Sequence, residues 1–192
     1  SGSDSLTCVV VLAATDAANT ATAHTITVTI TDANDQAPAW TTSATASVAE
    51  GATAVATLAA TDSDTADSGG LTYSITTNDP SGTVFAVSGT ALTMTAQDYE
   101  SPACGSGSDS LTCVVVLAAT DAASTATAHT ITVTITDTND QAPSWTTSAT
   151  ANVAEGATAV ATLAATDSDT ADSGGLTYSI TTDDPGSGTQ FS

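Results

Sequence analysis

The chain of 192 residues carries 21 aspartates and glutamates, two histidines and neither lysine nor arginine, for a formal net charge of −21. With no basic side chain it has nothing to displace counterions from phosphates or to grip anionic lipid, so neither nucleic acid nor a charged membrane surface is expected as a partner. The longest uninterrupted apolar stretch, Cys113 to Ala119, is far too short to cross a bilayer, so no membrane insertion is expected in this segment.

Residues 1 to 80 return at 106 to 185 with five substitutions: Asn19 to Ser124, Ala33 to Thr138, Ala39 to Ser144, Ser47 to Asn152 and Asn78 to Asp183. An offset of 105 residues is a whole small domain, not a solenoid turn. The expected organisation is the C-terminal half of one repeat at 1–37, a complete repeat at 38–142 and the N-terminal half of the next at 143–192. We therefore expect a window from a longer tandem array.

Taken in chain order, the complete unit begins after the linker with a short strand, "ATASVAE" at 44 to 50, followed by "TAVATLAA" at 53 to 60 and "LTYSITT" at 71 to 77. Next come "TVFAVS" (83 to 88), "ALTMT" (91 to 95), "LTCVVVLAAT" (111 to 120) and "ATAHTITVTIT" (126 to 136). In the last of these Ile131, Val133 and Ile135 share one face while Thr132, Thr134 and Thr136 share the other, the period-two pattern of a half-buried antiparallel strand. Gly, Asp, Ser and Pro separate the runs, and no segment has a helical period. Seven strands in one such unit predict an all-β fold, a Greek-key sandwich of the immunoglobulin-like type.

The unit's 11 acids are Glu50, Asp62, Asp64, Asp67, Asp79, Asp98, Glu100, Asp109, Asp121, Asp137 and Asp140, and most fall in small clusters at strand ends. Strand ends meet at the poles of a sandwich, so acids scattered in sequence can gather there. Two bare carboxylates about 4 Å apart repel by roughly 4 kcal/mol at an effective dielectric near 20. No lysine or arginine exists to offset that, which leaves backbone N–H groups, water, a proton or a metal ion, and at a net charge of −21 a bound cation is the economical expectation. The spacing of two in Asp62/Asp64 and Asp98/Glu100 places two oxygens on one side of an extended chain, which suits calcium with its many oxygen ligands and loose geometry. Zinc would want imidazole or thiolate.

Together these residues resemble the cadherin repeat, and the resemblance covers essentially the whole chain. Glu50 stands where the family has a glutamate after the first strand, Asp62/Asp64 where it has an acidic pair, and "DYE" at 98 to 100 where it has a D-R-E motif. "AATD" at 118 to 121 matches an A-x-D segment, and "DTNDQAP" at 137 to 143 matches the D-x-N-D-N-x-P linker. The resemblance implies about three calcium ions between consecutive repeats, held by oxygen ligands from both. At the junction near residue 140 it assigns Glu50, Asp98, Glu100, Asp137, Asn139, Asp140, Asp167 and Asp169, with the carbonyls of Thr138 and Gln141 completing the shells. At the junction near residue 35 it assigns Asp32, Asn34, Asp35, Asp62, Asp64 and Asp121, and the glutamate and D-Y-E ligands would lie upstream of Ser1. Gln36 and Gln141 replace the final linker asparagine, and Tyr99 replaces the usual arginine.

Cys104 and Cys113 bracket a Gly/Ser-rich loop and are expected to form a disulfide, which points to an extracellular or cell-surface setting. Cys8 is the repeat equivalent of Cys113. His24 and His129 begin the Ile/Val face of their strands and are expected to be structural, as are Trp40 and Trp145, two positions after the linker proline. The Thr-rich strand faces are a candidate surface for O-glycosylation.

The expected function is a segment of a long extracellular tandem-repeat protein forming calcium-rigidified rods, as a structural fibre or adhesive stalk. Its partners would be neighbouring repeats, with homotypic filament or adhesion contacts. The alternative is a calcium-dependent adhesion receptor or a module that binds a glycan or other partner. An enzyme is not expected, because each acid cluster recurs between copies and no arginine, lysine or unique pocket aromatic stands beside it.

Overall fold

The computed structural model describes residues 6–18, 21–64, 70–79, 84–104, 111–123, 126–169 and 175–182. Asp67, Asp109 and the side chain of Asp79 lie outside the described residues. Among those described there is no helix, and none is long and apolar enough to cross a membrane.

The first two strands, β1 (Leu6–Thr15) and β2 (Ala21–Ile30), form an antiparallel hairpin whose ten registered pairs run from Leu6↔Ile30 to Thr15↔Ala21. Alternating β-branched residues make the pairing favourable. Every residue of both strands is nonetheless exposed.

The central sandwich comprises β3 (Ala39–Trp40), β4 (Thr45–Ala49), β5 (Ala54–Thr57), β6 (Ala60–Thr61), β7 (Thr72–Asp79), β8 (Phe85–Ser88), β9 (Ala91–Met94), β10 (Thr112–Thr120) and β11 (Ala126–Thr136). One sheet has the order β4-β11-β10-β7, with β4 parallel to β11 and the other pairs antiparallel. Facing it are the antiparallel β5-β9-β8 sheet and the short β3–β6 pair. The crossing of β4 to pair with β11, far along the chain, makes this a Greek-key sandwich.

The period-two pattern of β10 and β11 decides what the sandwich buries. Cys113, Val115 and Leu117 from β10 and Ile131 and Val133 from β11 are fully buried. They pack with Val48, Leu58, Phe85, Leu92 and Met94 from the other strands. The Thr side of β11 faces outward or sits half-buried.

The single strand expected at 53 to 60 divides into β5 and β6. At the break Leu58 N–H donates to Thr90 O at 2.7 Å, so the chain stays tied to the β8–β9 turn without a regular ladder. Ala39–Trp40, read from sequence as a packing residue beside a linker, is a short strand paired with Ala60–Thr61. Trp40 is half-buried, donates its indole N–H to Thr127 O at 2.8 Å and stacks on His129 with ring centroids 4.9 Å apart.

Beyond the sandwich, β12 (Ser144–Trp145) and β13 (Ala165–Thr166) repeat the β3–β6 pairing. Residues 150–154 and 159–162 repeat the sequences of β4 and β5 with one change, Ser47 to Asn152, but form no strand.

Candidate metal centre

The acids expected near residue 140 are delivered by four segments. The parallel β4–β11 pairing ends with Ala49 opposite Thr136, and Glu50 N–H donates to Thr136 O at 3.0 Å. Glu50 and Asp137 therefore leave the sheet side by side. Glu50 then fixes its neighbours through both carboxylate oxygens: Oε2 accepts from Tyr99 N–H at 2.8 Å and Oε1 from Thr138 N–H at 2.7 Å. One glutamate thus ties the 98–100 loop and the linker to the same strand end. Gly51 turns the chain behind it with φ of +72°, a left-handed conformation that side chains disfavour.

Asp98 accepts from Glu100 N–H at 3.1 Å, closing the loop that carries both acids. The base of that loop rests on Gln97, which the sequence reading did not single out. Gln97 is buried, donates its amide to Thr95 O at 2.9 Å, and accepts from Ala103 N–H at 3.0 Å. Its carbonyl takes Gly51 N–H at 2.9 Å, joining the two acid-bearing turns. A glutamine beside an acidic motif gives no sequence signal, because only the fold shows that it is buried.

The far side is supplied by Asp167 and Asp169. Asp167 Oδ1 accepts from Asp169 N–H at 3.0 Å, and Asp169 Oδ2 accepts from Gln141 N–H at 2.9 Å, so the acidic pair grips the linker. Gln141 in turn donates its side-chain amide to Asp140 Oδ1 at 2.7 Å.

Two carboxylate groups result, Glu50–Glu100–Asp140 and Glu100–Asp137–Asp169, each with one oxygen per residue and all three within 4.8 Å of one another. Ligands on opposite sides of a calcium ion lie roughly 5 Å apart, given bonds of 2.3–2.6 Å. Glu100 is common to both groups. Asp98 and Asp167 stand beside them through their backbone hydrogen bonds, and Asn139 is exposed on the linker.

The electrostatics of this pole call for a cation. Asp169 is fully buried and its Oδ1 has no hydrogen-bond partner. A buried carboxylate without a partner for its charge is strongly unfavourable. The Glu100 carboxyl is raised from 4.5 to about 7, first by lost hydration, then by its hydrogen bond with Asp98 and the like charges of Glu50 and Asp169. The residue as a whole is exposed, so this loss of water is local to the acid cluster. The donor set is all oxygen, which fits a hard divalent cation and not zinc.

Near residue 35 the same hooks are present. Asp64 is buried, and its Oδ2 accepts from Asp35 N–H at 2.9 Å and Gln36 N–H at 2.8 Å. Asp62 Oδ1 takes Asp64 N–H at 2.9 Å, while Asp62 Oδ2 is buried with no partner. Asp121 is buried, Asn34 half-buried, and Asp32 and Asp35 exposed. Among the described residues no group of three acids converges here as it does near 140.

Cys104 and Cys113 form a disulfide with Cα atoms 5.3 Å apart, both fully buried, and Cys8 is free and exposed. The staple ties the end of the 98–104 loop to the start of β10.

No family model matches the chain, and no curated protein matches its sequence. Solved structures do. A crystal structure of human CDH23 EC21-23 superposes with a TM-score of 0.60 at 24% identity, covering 85% of this chain and 54% of that one. Protocadherin Gamma B2 extracellular cadherin domains 3-6 match with a TM-score of 0.58 at 24% identity, over 73% of this chain and 34% of that one. Mouse clustered PcdhgC3 EC1-3 matches with a TM-score of 0.53 at 26% identity, over 69% and 44% respectively. The chain thus spans about half or less of the length of these structures. The sheet order, the strand-end acids and these superpositions agree that the fold is that of a cadherin-like repeat.

Proposed function

We propose that this chain is part of an extracellular rod of tandem cadherin-like domains divided at 1–37, 38–142 and 143–192, with calcium bound at the junctions near 35 and 140. The observation that carries the reading is Asp169: fully buried, with one oxygen unpartnered, beside Glu100 and Asp137 in a chain without lysine or arginine. At the 140 junction Glu50, Asp98, Glu100, Asp137, Asn139, Asp140, Asp167 and Asp169 would hold about three ions, as such oxygen-rich sites do. At the 35 junction Asp32, Asn34, Asp35, Asp62, Asp64 and Asp121 would contribute.

The ion would supply positive charge. The chain's own residues supply position: Glu50 holds the loop and the linker to one strand end, and Asp169 holds the linker to the following segment. Cation binding there stiffens the junction because the ligands come from both sides of it. The role is mechanical, as a structural fibre or adhesive stalk, and not enzymatic.

Small-angle scattering with and without EDTA tests this, together with calorimetric calcium titration. The expected result is affinity in the range of extracellular modules, roughly 10⁻⁴ to 10⁻³ M, with chelation broadening the distribution of lengths. No calcium heat, or a length unaffected by chelator, would remove the reading.

A further inference from the structure

Among the described residues the buried polar side chains are Asp64, Asp121, Asp169 and Gln97, and of these only Gln97 carries no carboxylate. It is 5% exposed and stands one residue before Asp98. Every hydrogen-bonding group of its side chain is engaged. Nε2 donates to the carbonyl and to the hydroxyl of Thr95, both at 2.9 Å, and Oε1 accepts from Ala103 N–H at 3.0 Å. Both ends of this bridge are anchored in the sandwich. Thr95 N–H donates to Val84 O at 2.8 Å, just before β8, and Ala103 adjoins Cys104, which the disulfide fixes to β10. The side chain therefore closes the loop between Gln97 and Ala103, and the segment it closes carries Asp98 and Glu100.

We propose that Gln97 is a positioning residue for the junction near 140, and that its amide sets the calcium affinity there by holding Asp98 and Glu100 in place before an ion arrives. The inference rests on the calcium reading of that junction. With no ion bound, Glu100 lies close to the carboxylate of Glu50 and beside Asp98, and like charges press the loop outward. A lysine or arginine could hold such a loop by charge, but the chain has neither. The amide holds it by geometry instead, whatever the ionisation of the acids around it. Being neutral, it competes with no ion for a carboxylate.

A loop that is already ordered loses less conformational freedom when its ligands close on an ion, so affinity rises with preorganisation. An apolar side chain at 97 could fill the same space but would leave Ala103 N–H and Thr95 O without their partner. The bond from Gly51 N–H goes to the backbone carbonyl of Gln97 and survives substitution, so the turn behind Glu50 keeps its tie. What the side chain adds is the closure of the acid-bearing loop.

The test is Gln97→Met in the full chain, since methionine is unbranched and fills the gap without the amide. Calcium titration is followed by the backbone amide resonances of Tyr99 and Thr138, both hydrogen-bonded to Glu50, which report on this junction. Affinity should fall about tenfold, the lower end of what loss of an outer-shell partner does to a metal site. In EDTA the Tyr99 amide, which makes no bond to Gln97, should exchange with solvent faster than in the parent chain, and saturating calcium should restore its protection. Thr95→Val, which removes only the hydroxyl acceptor, should move both readouts the same way by a smaller factor and serves if Gln97→Met does not fold. Ile131→Val lowers stability from the centre of the core and should change neither. Equal calcium affinity in the parent, Gln97→Met and Thr95→Val chains overturns this inference alone. So does an equal loss of affinity in Ile131→Val, which would make the effect one of stability. A parent chain whose Tyr99 and Thr138 resonances ignore calcium removes the calcium reading of the junction, and this inference with it.

Discussion

The hairpins β1–β2 and β10–β11 are nearly the same peptide in two settings. They share a register pair for pair, from Cys8↔Val28 and Cys113↔Val133 to Thr15↔Ala21 and Thr120↔Ala126. One is exposed throughout; the other is the centre of the core. Hairpin pairing is closed by contacts near in sequence and forms in both. Burial needs strands distant in sequence, and among the described residues only the second hairpin has them packed against it. The comparison separates what a strand is from what it contributes to stability.

Paired substitutions put numbers on that separation. Leu117→Ala should lower the unfolding free energy of the sandwich by about 2–5 kcal/mol, and Leu12→Ala by no more than about 0.5 kcal/mol. Urea denaturation followed by Trp40 fluorescence, with Trp145→Phe to remove the second indole, reads both. Equal effects would mean that the β1–β2 hairpin is buried in solution.

The cysteines extend the comparison to the covalent level. Replacing Cys104 and Cys113 by serine removes a short loop closure worth roughly 2.5–3 kcal/mol on the chain-entropy estimate, whereas Cys8→Ser should leave the midpoint unchanged. A null result at Cys104 and Cys113 would show that packing already constrains the loop.

A smaller effect is expected at Gly51. No atom lies within 4 Å of a Cβ added there, so Gly51→Ala tests the backbone alone. At φ of +72° the cost is about 1–2 kcal/mol, and because Glu50 leads into this turn, calcium affinity should fall with it. Unchanged thermal unfolding and calcium heat in the alanine variant would show that the turn does not position Glu50.

The smallest change is with pH. The Glu100 carboxyl is raised in the folded protein to about 7 from 4.5. Between those values the folded state binds more protons than the unfolded state, so in EDTA stability is fullest below about 4.5 and declines as pH rises through about 7. Calcium should reverse the trend, since it needs the carboxylate. Thermal melts across this window, with and without calcium, check the sign; Glu100→Gln should flatten the EDTA curve.

The gathering of acids at one pole of the sandwich was legible in the sequence. The Glu50, "DYE" and "DTND" motifs predicted acids at one pole, and the structure brings Glu50, Glu100, Asp137, Asp140 and Asp169 together there. Near residue 35 the sequence reading expected part of the set to lie upstream, and no such convergence forms among the described residues. Gln97 was not legible, since its importance lies in being buried beneath two turns. Nor was the break between β5 and β6, which a uniform apolar run conceals.

The sequence by itself determined whatever closes over a short span. The Gly51 and Gly156 turns both take positive φ, Asp62/Asp64 and Asp167/Asp169 form the same hook, and Ser43 and Ser148 cap the same short turns. Trp145 and Tyr178 reproduce the Trp40–Tyr73 contact, with ring centroids at 5.4 and 5.3 Å. Tertiary structure decided the rest. Residues 45–49 are a strand because β11 lies alongside, and 150–154 are not, with one residue changed. A strand's hydrogen bonds belong to its neighbour as much as to itself, so sequence states the readiness to pair and the fold alone supplies the partner.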